Sequence, residues 1–181
     1  MSNTHKSKLP ARIVPLLASL ALGACAGGQP PLATVDHVDL ERFMGDWYVI
    51  ANIPTFIEKG AHNAVESYEL NPDGSIATTF VFRQDGFDGE EKVHRPVGFV
   101  TDTETNAVWG MRFIWPIKAD YRIVYLTEDY SQTIIARNKR DYVWIMARTP
   151  SISTADYDKM TGLVEDMGYD ISKVQKVPQQ W

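Results

Sequence analysis

One cysteine, four histidines and 23 carboxylates are the side chains from which this 181-residue chain could build a reactive centre. Their spacing does not assemble one. His37, His62 and His94 lie far apart, with no His-Glu-x-x-His pair to hold a metal from one helix face. No Gly-x-Ser-x-Gly elbow presents a nucleophile, and no glycine-rich loop is placed to cradle phosphates. Glu90 and Glu91 are adjacent, so in a strand their carboxylates point to opposite faces; they read as the solvated end of a hairpin. Cys25 alone supports neither a disulfide framework nor a thiolate cluster. A net charge of −5 argues against a nucleic-acid binder, which shows a basic stripe. Neither a metal nor a cofactor is implied. The aromatic content is what stands out. Five Trp, eight Tyr and seven Phe suit a core, or a cavity wall, built from large flat side chains.

Cys25 has a different use. His5, Lys6, Lys8 and Arg12 precede an apolar run from Ile13 to Gly23, with no acid before Asp36. The run is shorter than the about 20 apolar residues that span a bilayer, and it has the layout of a secretory signal. Leu22-Gly23-Ala24-Cys25 resembles the bacterial lipobox, in which the cysteine is acylated and becomes the first mature residue. An ordinary signal peptide followed by a buried free cysteine is the plainer alternative. The resemblance implies a signal peptide over 1–24, a lipidated Cys25 with a tether over 25–36, and a folded domain over 37–181. Ala26, not Asp, follows the cysteine, which under the Gram-negative sorting rule implies the outer membrane, lipid-anchored and facing the periplasm. The segment after it, AGGQPPLATV, is small, uncharged and rich in Gly and Pro, as a tether is.

Beyond Asp36 the hydrophobic pattern has period two and is bounded by turns. Asn71-Pro-Asp-Gly74 divides two alternating runs as a hairpin would, and Asp85-Gly86, Asp88-Gly89 and Asp102–Asn106 mark further turns. Strands are expected at 46–53, 64–70, 75–83, 92–100, 107–114, 120–126, 132–137 and 142–148. Short links favour antiparallel neighbours. Eight such strands close into an all-β, up-and-down antiparallel barrel able to hold side chains or one small ligand; a two-sheet sandwich is the competitor. Ser153-x-x-Asp156 then opens a helix whose Tyr157, Met160, Val164 and Met167 share one face, with Gly168 at its end. That stripe is expected to pack on the outside of the barrel.

Three short motifs fall at fitting places on these elements. Gly45-Asp-Trp47-Tyr48 opens the first strand, Thr127-Glu-Asp129-Tyr130 lies between strands six and seven, and Arg148-Thr-Pro150 follows strand eight. Together they resemble the signatures of the lipocalin family, the second with its spacing altered. The run from Asp39 to Val177 is similar to bacterial lipocalins, apolipoprotein D-like proteins that are outer-membrane lipoproteins, and Tyr142–Ser153 is particularly close to them. The resemblance implies that Trp47 plugs the closed end under the Arg148 guanidinium. Gly45, Asp129 and Tyr130 would belong to the same structural end.

The resemblance also implies a carrier and not an enzyme, one that takes up a small hydrophobic ligand such as a fatty acid or lysophospholipid in envelope lipid storage or maintenance. An aromatic cup also tolerates retinoids, haem or pigments. With Trp47 inward, alternation turns Trp144 and Met146 inward on strand eight and Trp109, Met111 and Phe113 inward on strand five. Phe80, Phe82, Tyr121, Ile123 and Tyr125 complete the expected ligand wall. The same residues fill a plain core equally well by pattern alone. Two other readings stay open: an envelope protein-interaction module that contacts its partner through Phe113–Ile117, with a homodimer among its forms, or a lipid-modifying enzyme using a pocket tyrosine or acid. The isomerases of the family use a pocket cysteine, and here Cys25 is spent on the anchor.

Cys25→Ser is expected to leave the protein uncleaved or soluble in cell fractionation. Unchanged membrane fractionation, with no radiolabelled palmitate entering the wild type, would remove the anchor.

Overall fold

The computed structural model describes Met1 and residues 29–181; Cys25, the rest of the signal segment and the tether up to residue 28 lie outside the described residues. Among the described residues ten strands follow a single helical turn, α1 (Leu40–Phe43): β1 (Gly45–Ile53), β2 (Ala61–Leu70), β3 (Ser75–Gln84), β4 (Glu91–His94), β5 (Val97–Val100), β6 (Val108–Ile114), β7 (Ile117–Leu126), β8 (Gln132–Ala136), β9 (Val143–Ala147) and, after helix α2 (Thr154–Asp166), the short β10 (Gln175–Lys176). All pair antiparallel in one sheet, and β9 returns to pair with β1 from Tyr48–Ala147 to Ile53–Val143. The sheet therefore closes. A barrel, not a sandwich, is formed, and closure removes the exposed edges a sandwich would keep.

The eight expected strands are present, with the fourth divided. Arg95 and Pro96 interrupt it, so β4 pairs with Phe80–Arg83 while β5 pairs with Ser75–Ala77, both on β3. Proline has no N–H for a ladder, and the carbonyl of Pro96 still accepts from the Thr78 N–H at 3.1 Å. The turn at Asn71–Gly74 sets the next register. Gly74 donates to the Asn71 carbonyl at 2.9 Å with φ of +80°, a conformation that favours glycine.

Alternation sorts the strands' apolar residues into two cores. Trp47, Val49, Ile76, Phe80, Phe82, Trp109 and Met146 pack inside the barrel. Ala51, Ile53, Ile134, Val143, Ile145 and Ala147 face outward and are covered by Met160 and Val164 of α2. That second core explains why Val143–Ala147 is apolar at every position: it is buried on both sides. The helix starts where its cap dictates, the Ser153 hydroxyl accepting from the Asp156 N–H at 3.0 Å.

The closed end is built around Arg148. Its guanidinium lies 3.8 Å from the centre of the Trp47 ring. It also donates to the carbonyls of Asp46 (2.8 Å), Arg42 (2.9 Å), Phe43 (3.0 Å) and Met44 (2.8 Å). These include the C-terminal carbonyls of α1, which the helix itself leaves without partners. Gly45 has φ of +92°, a backbone conformation that calls for glycine, although a Cβ there would make only an ordinary 3.4 Å contact with an Arg148 nitrogen. In the β7–β8 turn, Thr127 Oγ1 accepts from the N–H groups of Ser131 and Gln132, both at 3.0 Å. Asp129 accepts from the Ser131 hydroxyl at 2.7 Å; hydrogen bonds from Thr127 and Ser131 hold its carboxyl down at about 2. The Tyr130 hydroxyl reaches across to accept from the Asp39 N–H at 2.9 Å.

Arg148→Ala removes one cation–π contact and several charge-assisted hydrogen bonds, a loss on the order of 3 kcal/mol. The urea midpoint is expected to fall accordingly while the surviving folded protein keeps its cavity. An unchanged midpoint would show that the closed end does not depend on this residue.

Candidate functional site

A cavity of about 450 Å³ opens between β1–β2 and β6–β7, within the range of small-molecule pockets. Its wall is drawn from most of the barrel: Phe80 on β3, Met111 and Phe113 on β6, Tyr121 on β7, Tyr142 before β9 and Trp144 on β9. The β1–β2 connection, residues 54–60, adds Phe56, Ile57 and Glu58 across the mouth. Glu58 is buried although it lies on a loop. Its carboxylate accepts from the Trp144 indole N–H and from the Thr55 N–H, both at 2.7 Å, which fastens the loop to β9, the strand paired with β1.

Of the ten residues expected on the ligand wall, five line the cavity: Phe80, Met111, Phe113, Tyr121 and Trp144. Four others are buried inside the barrel without reaching its lining: Phe82, Trp109, Ile123 and Met146. Trp109 stacks on Tyr121 at 5.0 Å, meets Phe43 edge-on at 5.5 Å and donates to the Asn106 carbonyl at 2.7 Å, so it is part of the plug. Phe82 is covered by Phe80, 5.2 Å away, and by the stacked His94 ring at 6.0 Å. Tyr125 is a correction. The β7–β8 register shifts between Ile123 and Tyr125, placing Val124 and Tyr125 both on the outer core, where the Tyr125 hydroxyl accepts from Lys159 of α2 at 2.9 Å. A bulge inserts one residue and reverses the inside–outside alternation beyond it.

A second irregularity shapes the mouth. The β6–β7 register shifts between Met111 and Ile114. Phe113 and Ile114 consequently both line the cavity while remaining 54% and 73% exposed. Trp115, Ile117 and Phe56 are exposed beside them, so the apolar wall continues onto the rim.

The polar groups on the wall escape a reading of the apolar pattern. Glu66 lies directly across β1–β2 from Trp47 and across β2–β3 from Phe80, both of which point inward, so it points inward too. It takes a hydrogen bond from the Tyr68 hydroxyl, and the Tyr121 hydroxyl is 2.8 Å from that of Tyr68. Burial raises the Glu66 carboxyl to about 7; the Tyr68 bond opposes the shift and the charge of Glu58 adds to it. Burial, with the nearby Glu66 charge, pushes both phenols well above their ordinary range. The native state thus keeps the Glu66 proton through a window where the unfolded chain has released it. The contribution of Glu66 to folding stability falls as pH rises from 4.5 to about 7 and is level above. Thr55 and Thr78 on the same wall carry buried hydroxyls with no hydrogen-bond partner, as does the Arg137 Nε. The apolar wall thus carries unfilled polar positions.

The arrangement has counterparts. A family model described as a lipocalin-like domain matches residues 38–179. Temperature-induced lipocalin-1 of Arabidopsis thaliana is 31% identical over 157 residues, covering 82% of this chain and 83% of that protein. The outer membrane lipoprotein Blc of Escherichia coli (strain K12) is 27% identical over 171 residues, covering 90% and 94%. Among solved structures, insecticyanin from the tobacco hornworm Manduca sexta matches with a TM-score of 0.64 at 14% identity, over 82% of this chain and 84% of that one. The cockroach allergen Per a 4 matches at 0.62 and 18% identity, over 84% and 94%. With the family model spanning most of the chain and the closed barrel formed by the same residues, the chain belongs to the lipocalin family.

Proposed function

We propose that this lipocalin binds and carries one small hydrophobic molecule, a fatty acid or lysophospholipid, in the barrel cavity. The observation that carries the reading is the cavity itself: about 450 Å³, walled by Phe80, Met111, Phe113 and Trp144, and open to solvent through an apolar rim. An acyl chain buries its methylenes against such a wall at about 0.8 kcal/mol each. Arg137 follows β8 at the open end, and its Nε lacks an acceptor. A carboxylate or phosphate at the mouth would supply one, with Arg95 also on the wall.

The setting of this carrier is the outer membrane, facing the periplasm, in storage or maintenance of envelope lipids. Support comes from the Leu22–Cys25 motif and from the relatives named as outer membrane lipoproteins. Lipidation of Cys25 would hold the barrel beside the lipids it draws on.

Native mass spectrometry of the delipidated protein, titrated with oleate and lysophosphatidylcholine, is expected to show one-to-one binding at micromolar concentrations. Uptake of neither would overturn the reading. Trp144→Ala is expected to weaken that binding by about tenfold, or roughly 1.4 kcal/mol, since it removes both wall area and the Glu58 latch. A variant that only melts earlier, with affinity intact, would place Trp144 in the core and outside the site.

A further inference from the structure

We propose that the floor of the cavity is a site for the protonated amine of a single-chain amphiphile, with Glu66 as its counter-ion and the Thr78 hydroxyl as a second acceptor. The inference rests on the reading of the cavity as a lipid-binding cup and adds the head-group chemistry of its inner end.

Among the described residues, no cation pairs with Glu66. Its bond within the protein comes from Tyr68, and the charge acting on it, Glu58, has its own sign. The basic groups of the wall are engaged elsewhere or face water. Arg137 pairs with Asp141 at 3.4 Å, and Arg122, which is off the wall, holds the wall residue Asp120 at 3.0 Å. Arg95 is exposed, and His94 is stacked on Phe80 and Phe82. A buried charge is costly unless it is paired, so Glu66 holds its proton until a cation brought by the ligand takes its place.

Thr78 points to the same place independently. It is 3% exposed, lines the cavity, and its Oγ1 has no partner. It sits opposite Tyr68 on β3, two residues from Phe80, which is itself opposite Glu66. The unfilled hydroxyl and the uncompensated carboxyl therefore occupy neighbouring positions on adjoining inward faces. Phe80 and Tyr121 supply aromatic rings, which attract a desolvated ammonium group and do nothing comparable for an anion. A fatty-acid carboxylate driven to this depth would meet Glu66 and no cation. Fatty acids accordingly lie with their head at the mouth, and long-chain amines enter head first.

Hydroxyl protons already point along one line. With Tyr68 donating to Glu66, Tyr121 donates to Tyr68, leaving the second carboxylate oxygen of Glu66 as the acceptor presented to a ligand. An ammonium group binds the ionised form of Glu66, so its affinity follows the ionised fraction. With the carboxyl at about 7, that fraction, and the affinity, changes by about tenfold between pH 6 and pH 8. Tyr68 and Tyr121, held above the ordinary phenol range, stay neutral throughout.

The test compares decylamine, decanol and decanoate as competitors of a fluorescent fatty-acid probe, at pH 6 and pH 8, in the wild type and Glu66→Gln. The ratio of amine to alcohol affinity is expected to rise about tenfold with pH in the wild type and to stay flat in the variant. A flat wild-type ratio overturns the proposal without any variant. A rise that survives Glu66→Gln also overturns it, because His94 and the other wall groups would then be its source. Gln keeps the shape of Glu and removes the buried charge, so the variant is expected to melt no lower than the wild type at pH 8. If alcohol and decanoate bind while the amine gains nothing, the cup stands and only the floor assignment falls. If none of the three binds, the carrier reading falls with it.

Discussion

A single guanidinium joins the two strands whose pairing closes this barrel to the plug beneath them. Arg148 leaves the end of β9, covers Trp47 on β1 and caps the carbonyls of α1. Each element it touches supports the next. Phe43 of α1 packs on Trp47 at 5.0 Å, on Tyr68 at 5.8 Å and on Trp109 at 5.5 Å. Tyr68 in turn holds Glu66 on the cavity floor. The chemistry at the bottom of the cup is therefore positioned by a structural contact at the far side of its plug. A charged group serves here because it satisfies several carbonyls at once, which no apolar side chain of the same volume would do.

The architecture was legible because it depends on local signals that repeat. Turn residues recur between alternating runs, and Gly45-x-Trp47, Asp129-Tyr130 and Arg148 fall at the ends where a closed barrel needs them. Alternation also turned Phe80 and Phe82 of β3 inward, and both are buried there. It fails at bulges. Nothing in Ile123-Val124-Tyr125 announces an inserted residue, and the hydroxyl of Tyr125 ends against α2 instead of a ligand. Period two reports a face and not a height. Trp109, Ile123 and Met146 do point inward, but they pack in the inner core without reaching the cavity, and depth along a barrel axis comes only from how the strands are staggered.

Glu66 shows what a fuller reading of the same letters would have yielded. The Asn71–Gly74 turn sets Leu70 opposite Ile76, which carries Tyr68 opposite Thr78 and Glu66 opposite Phe80. Once Phe80 is taken to face inward, Glu66 must face inward with it. A carboxylate in a strand reads as solvent-facing, so register was needed to overrule residue type. Glu58 and Phe56 offered no such route, because the loop that carries them has no periodicity to read.

The bond between Glu58 and the Trp144 indole ties a wall residue to the loop across the mouth. Trp144 stands opposite Asn52 near the end of β1, so the bond folds the connection back against the seam that closes the barrel, while the exposed lining residues Phe113 and Ile114 lie on β6. Displacing residues 54–60 therefore costs a buried hydrogen bond at that seam, and the loop and the wall are held by one contact.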